Sequence, residues 1–244
     1  MKRNASIILS ALSLLLALGC SNQKPGEQQA GLSLRGQTQP LNRFEQEIIS
    51  YEAADKIKSP PQGAVLFAGS SSIRLWNTLQ QDFPSFSVIN RGFGGSTLPE
   101  VAWYAPRIIY KYKPALVILY CGENDMAEDI PPPVAFQRFK KLVADMEEHL
   151  PGVPLLALSA KPSPARWHLW GQFQQYNILV EEFAHNHAGI TYVDVSPPLL
   201  KPDGRPDPSL YAEDQLHLNR KGYQKWTALL TPLIAAQLGL EESR

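Results

Sequence analysis

The run Ala115-Leu116-Val117-Ile118-Leu119-Tyr120, followed by Cys121-Gly122-Glu123-Asn124-Asp125, decides the fold class. An apolar run of this length without polar alternation describes a strand buried on both faces. Such strands belong to parallel sheets covered by helices on each side. Outward from it, four more short apolar runs read as strands, at 64–68 (AVLFA), 86–90 (FSVIN), 155–159 (LLALS) and 190–193 (ITYV). Between them, helical periodicity covers 44–58, 97–113, 134–150, 167–187 and 219–238. Pro106 is predicted to kink the second of these helices and Pro232 to interrupt the last. The alternation predicts an α/β fold in three layers, α/β/α, around a mainly parallel five-stranded sheet. No shift of composition after residue 43 divides it, so 43–240 is expected to be one domain.

Composition narrows the function classes. The 244 residues carry 23 basic and 23 acidic side chains, so the formal net charge is zero. That excludes a general electrostatic attraction to nucleic acid. Two cysteines, Cys20 and Cys121, exclude a disulfide framework and a cysteine-built zinc site. At the N-terminus, Lys2 and Arg3 precede an uncharged stretch from residue 5 to 18. At about 14 residues it is short for a bilayer span and reads as a secretory signal occupying 1–19.

The segment Leu16-Ala17-Leu18-Gly19-Cys20 resembles the looser form of the lipobox of bacterial lipoproteins, with Ala17 and Leu18 exchanged relative to the tightest form. The resemblance implies that Cys20 becomes a lipidated N-terminus and that the membrane is a partner through this anchor. Ser21 then implies the outer membrane, facing the periplasm, in a Gram-negative cell. Residues 20–42, rich in Gln, Gly, Pro and Ser, read as a flexible tether. Without residues 1–19, 21 basic residues face 23 acidic ones, which is still no case for nucleic acid. Composition does not set the oligomeric state.

In parallel α/β sheets ligands sit at the carboxyl ends of the strands. There the sequence places Gly69-Ser70-Ser71-Ser72, then Asn90-Arg91-Gly92-Phe93-Gly94-Gly95-Ser96-Thr97, then Gly122-Glu123-Asn124-Asp125. Asp214-Gln215-Leu216-His217 stands just before the last helix. Hydroxyl, glycine backbone, amide, carboxylate and imidazole are the parts that acyl transfer by a serine requires. A serine hydroxyl is a poor nucleophile near neutral pH and needs a base, and imidazole suits. A carboxylate on the far ring nitrogen fixes the tautomer. Asp214 and His217, three apart, put both groups on one side of a turn. The oxyanion needs donors, and the Ser71 amide, the Gly95 amide and the Asn124 side chain are the candidates. A glycine at 95 lets the backbone come close to an ester.

These four blocks, in this order, resemble the SGNH hydrolases, or GDSL-type esterases, over residues 62–235. The resemblance implies a flavodoxin-like sheet, Ser71 as nucleophile, Asp214 and His217 as its partners, and Ser71, Gly95 and Asn124 as the oxyanion hole. No metal and no organic cofactor are expected. Ser70 stands where the family usually has Asp, a position outside the triad. The implied reaction is hydrolysis of carboxylic esters, either short acyl esters of carbohydrate or lysophospholipid, through an acyl-enzyme. An acyltransferase using the same residues, or a non-catalytic envelope-binding lipoprotein, are the alternatives.

Other residues carry weaker signals. Arg74, Trp76, Arg91 and Trp167 are candidates for the substrate pocket; salt bridges and packed indoles are the plainer alternative. His185 and His187 are two apart and point away from each other on a helix, so a structural role is expected. Cys121 is expected to be a small buried filler. Asp125 either ties loops together around the site or caps a turn. Glu123 has no assigned task, and the prolines 131–133 read as a rigid loop at the cleft rim.

Overall fold

The computed structural model describes residues 42–240. The signal, the lipidation site and nearly all of the tether expected for residues 1–42 therefore lie outside the described residues. The chain runs α1 (Glu45–Ile57), β1 (Val65–Gly69), α2 (Ser71–Arg74), α3 (Leu79–Asp82), β2 (Val88–Gly92), α4 (Leu98–Ile108) and β3 (Leu116–Tyr120). It continues through α5 (Glu123–Ala127), α6 (Pro132–His149), β4 (Leu155–Leu158), α7 (Trp170–His185), β5 (Ile190–Val193) and α8 (Arg220–Gln237).

The five strands form one sheet of order β2-β1-β3-β4-β5, and every pairing is parallel. Alternation along each strand sends successive side chains to opposite faces. Val117 and Leu119 join a core with α1, α4, α6 and α7, whereas Leu116, Ile118 and Tyr120 join one with α2, α3 and α8. This is the three-layer arrangement that the apolar runs predict.

The order has one consequence for function. The chain leaves β1 towards β2, then crosses back over β1 to β3. The crossover directions reverse between β1 and β3, which opens a crevice at their carboxyl ends. Gly69 closes β1 there with φ +125°, and a Cβ on it would lie 1.9 Å from the Tyr120 carbonyl oxygen. Only glycine lets the two strand ends come this close.

Several local expectations are corrected. β2 begins two residues later than the apolar run, at Val88. The third block, read as a loop, is the short helix α5. Pro131 precedes α6 and Pro132 opens its first turn, where a missing N–H is harmless, so these prolines start a helix rather than form a rim loop. Pro232 does not interrupt α8, which runs through it with the proline on an exposed face. After Pro106 the helix α4 gives way at Ile108 to a 3-10 turn, Tyr110–Tyr112. A second 3-10 turn, Trp167–Leu169, precedes α7.

Candidate active site

Ser71 opens α2 directly beyond the end of β1. Its Oγ lies 2.9 Å from Nε2 of His217, and Nδ1 of His217 lies 2.6 Å from Oδ2 of Asp214. Oδ1 of Asp214 accepts the amides of Leu216 and His217 at 2.9 and 3.0 Å. The turn between the two residues holds Gln215 at φ +54°, and this tight geometry folds the carboxylate back onto the ring. Partial burial opposes ionisation of Asp214. The His217 ring and the two amides outweigh it and hold the carboxyl at about 2. Nδ1 therefore carries the proton towards Asp214, and Nε2 is free to accept one from Ser71.

Among the described residues, neither the Ser71 amide nor the Gly95 amide donates to a protein acceptor. Gly95 is exposed at φ +78°, and a side chain there would meet open space. Its loop is held from several sides. Arg43 Nη2 donates to the Gly95 carbonyl at 3.1 Å and to Glu100 Oε2 at 2.9 Å. Glu100 accepts the Thr97 amide at 2.9 Å and completes a capping box at the start of α4. Asp125 Oδ2 accepts the Leu98 amide, while Arg138 bonds its other oxygen at 2.8 Å. Asp125 thus ties the third block to the second. Burial pushes its carboxyl up to about 6, with Arg138 and the Leu98 amide pulling the other way.

Asn124 Nδ2 donates to the Ser96 carbonyl at 2.9 Å, and its Oδ1 accepts Arg166 Nη1 at 3.0 Å. Its second Nδ2 hydrogen has no protein acceptor among the described residues. The structure therefore gathers Ser71, Gly95, Asn124, Asp214 and His217 around the crevice between β1 and β3. In place of the usual Asp, Ser70 is buried and donates its amide to the Tyr120 carbonyl.

The family model for GDSL-like lipase/acylhydrolase proteins matches residues 62–225. The chain belongs to that family. It is accordingly an ester hydrolase. Among solved structures, a GDSL-like lipase from Bacteroides thetaiotaomicron is 20% identical at TM-score 0.66, covering 81% of this chain and 99% of its own. A Streptococcus pneumonia protein assigned as a platelet activating factor is 22% identical at TM-score 0.70, with 80% and 94% covered. An acetylxylan esterase from Geobacillus stearothermophilus is 15% identical at TM-score 0.55, with 75% and 97% covered. These likenesses show a shared fold. No curated protein sequence matches with significance.

The candidate pocket residues of this GDSL-like hydrolase fall in different places. Trp76 is core: it is 1% exposed, stacks on Tyr223 at 4.8 Å and donates Nε1 to Asp82 at 2.7 Å. Arg91 is turned away to the opposite face of the sheet, where it pairs with Asp55 and donates Nε to Tyr112. Arg74 stays exposed beside Gly94 and pairs with Glu47 at 2.6 Å. Trp167 is half-buried, stacked on Trp170, and directly follows the Arg166 that touches Asn124. Cys121 is buried, and burial pushes its thiol well up, away from nucleophilic use.

Sequence reasoning missed a buried ionic cluster behind Asn124. Glu123 joins Lys161 Nζ at 3.2 Å, Arg166 Nη1 at 2.8 Å and the Tyr120 hydroxyl. Burial opposes ionisation of the Glu123 carboxyl, but the two cations outweigh it and hold the carboxyl below its ordinary range. Burial pushes the Lys161 ammonium down, and Glu123 opposes that. The signal was two cations in the segment 159–167 (SAKPSPARW), which enters the site from the end of β4.

Proposed function

We propose that the protein is a serine esterase that removes short acyl groups from carbohydrate through an acyl-enzyme. The observation that carries this reading is the hydrogen-bonded series Asp214–His217–Ser71, ending beside the unpartnered Ser71 and Gly95 amides. Ser71 Oγ attacks the ester carbonyl carbon while its proton passes to Nε2 of His217. The carbonyl oxygen becomes an oxyanion facing the Ser71 and Gly95 amides and the free Nδ2 hydrogen of Asn124. Each such donor contributes about 3 kcal/mol in the transition state. Asp214 holds the tautomer and stabilises the imidazolium. His217 then gives its proton to the leaving alkoxide. Water repeats the sequence on the acyl-enzyme and releases the acid.

Openness supports a small acyl group on a bulky alcohol. Asp214 and Gly95 are exposed, and Ser71 and His217 are half-buried, so the nucleophile meets solvent rather than an enclosed acyl tunnel. An acetylxylan esterase sharing the fold is consistent with that class. Lysophospholipid is the competing substrate. We expect kcat/KM to fall steadily from p-nitrophenyl acetate to the octanoate, with acetate released from acetylated xylo-oligosaccharide. Preference for the octanoate together with turnover of lysophosphatidylcholine reverses the assignment.

We further propose that Cys20 anchors the enzyme in the bacterial outer membrane, facing the periplasm, a reading supported by residues 1–21 of the sequence. Several acyl chains make such anchoring strong, at about 0.8 kcal/mol per buried CH₂. Palmitate labelling is expected in the wild type and lost in Cys20→Ala; equal labelling of both rejects the anchor.

A further inference from the structure

The ionic cluster behind Asn124 is not used by the reaction steps above, yet it touches them at one atom. Arg166 Nη1 sits 3.0 Å from Asn124 Oδ1 and 2.8 Å from Glu123 Oε1. On the other side, Asn124 Nδ2 faces the Ser96 carbonyl at 2.9 Å. A flipped amide would set its NH₂ against the guanidinium and its oxygen against a carbonyl, and both contacts would repel. The two partners therefore permit one orientation of the amide, the one that leaves an Nδ2 hydrogen for an oxyanion.

Charge points the same way. Glu123 is 5% exposed at its side chain, Lys161 1% and Arg166 22%. Two cations face one carboxylate, so the cluster holds an excess positive charge in a poorly solvated place. Arg166 brings that charge to the Oδ1 end of the amide. Donation from a guanidinium to Oδ1 also polarises the amide and strengthens Nδ2–H as a donor. The segment carrying Arg166 braces the other half of the site as well. The Ala165 amide donates to the Gln215 carbonyl at 3.0 Å, inside the Asp214–His217 turn, and the Tyr211 hydroxyl donates to the Pro162 carbonyl at 2.7 Å.

We propose that Arg166 is a positioning residue of the oxyanion hole, fixing and polarising the Asn124 amide. The proposal rests on the serine-esterase reading and on Asn124 as an oxyanion donor. Because the amide is needed only when charge develops, loss of Arg166 is expected in kcat rather than KM.

The test is steady-state hydrolysis of p-nitrophenyl acetate by four variants of the full chain: Asn124→Ala, Arg166→Gln, Arg166→Lys and the double variant Asn124→Ala/Arg166→Gln. Thermal melts accompany each one. Arg166→Gln should lower kcat roughly 10- to 100-fold with KM changed less than about threefold, as expected for a misplaced reacting group. Arg166→Lys keeps a charge without the planar fork and should fall between it and wild type. The double variant should be no slower than Asn124→Ala alone, since Arg166 has nothing left to position. If Asn124→Ala keeps wild-type kcat, the oxyanion reading itself fails. If Asn124→Ala is slow but Arg166→Gln is not, or if the two losses multiply, the positioning role is rejected and the reading stands. Should Arg166→Gln melt below the assay temperature, the comparison passes to Arg166→Lys, whose wild-type kcat would equally overturn the proposal.

Discussion

Ser71→Ala is expected to remove esterase activity while leaving the fold in place. The expected loss in kcat is roughly 10⁴- to 10⁶-fold, the range found when a hydrogen-bonded nucleophile and base act as one unit. The fold should survive because the Ser71 side chain makes one recorded bond, to His217 Nε2, and is only half-buried. Far-UV circular dichroism is expected to be unchanged, and p-nitrophenyl acetate turnover measures the loss. Turnover retained within tenfold would reject the assignment. Asp214, held at about 2, stays ionised throughout the working range. The sign for stability follows from the lowered carboxyl. The contribution of Asp214 is present above the ordinary carboxylate range of about 4 and is lost as pH falls towards 2.

Glu123→Ala has the largest expected effect on stability. It removes the one carboxylate between Lys161 and Arg166 and leaves the Lys161 ammonium, 1% exposed at its side chain, without a partner. Breaking a buried pair from one side costs about 3–5 kcal/mol, because the remaining charge stays desolvated. For a domain of this size that corresponds to a fall in Tm of about 6–20 °C. Lys161→Met should cost less, because Glu123 keeps Arg166 as its partner. The pH dependence also has a sign. The lowered carboxyl means that the contribution of Glu123 is complete above the ordinary glutamate range and is lost on acidification below it. Thermal melts of both variants at neutral and acidic pH check this; a Glu123→Ala melt within about 2 °C of wild type at neutral pH would contradict it.

The sheet was legible because a strand buried on both faces has a simple signature. ALVILY at 115–120 and LLALS at 155–159 became β3 and β4 almost residue for residue. The five residues that meet at the crevice were legible for a different reason: each brings a group type that acyl transfer needs, and their four blocks stand in the order of the family they resemble. What was not legible depended on tertiary placement. Trp76 and Arg91 lie beside the blocks in sequence, but Trp76 turns into the core with Tyr223 and Arg91 crosses to Asp55 on the other side of the sheet. Glu123 looked like loop because its partners, Lys161 and Arg166, arrive from the end of β4, about 40 residues on. Prolines misled twice, at 131–133 and at 232, since a proline in a first turn or on an exposed helix face disturbs little.

The proposed nucleophile is Ser71, activated by His217. The most direct measurement is reaction of the full chain with a fluorophosphonate, followed by peptide mass spectrometry. One phosphonylated site is expected, Ser71, absent in Ser71→Ala and strongly slowed in His217→Ala. Adduct on Ser70 or Ser72, or no adduct on a folded and unmodified protein, would contradict it.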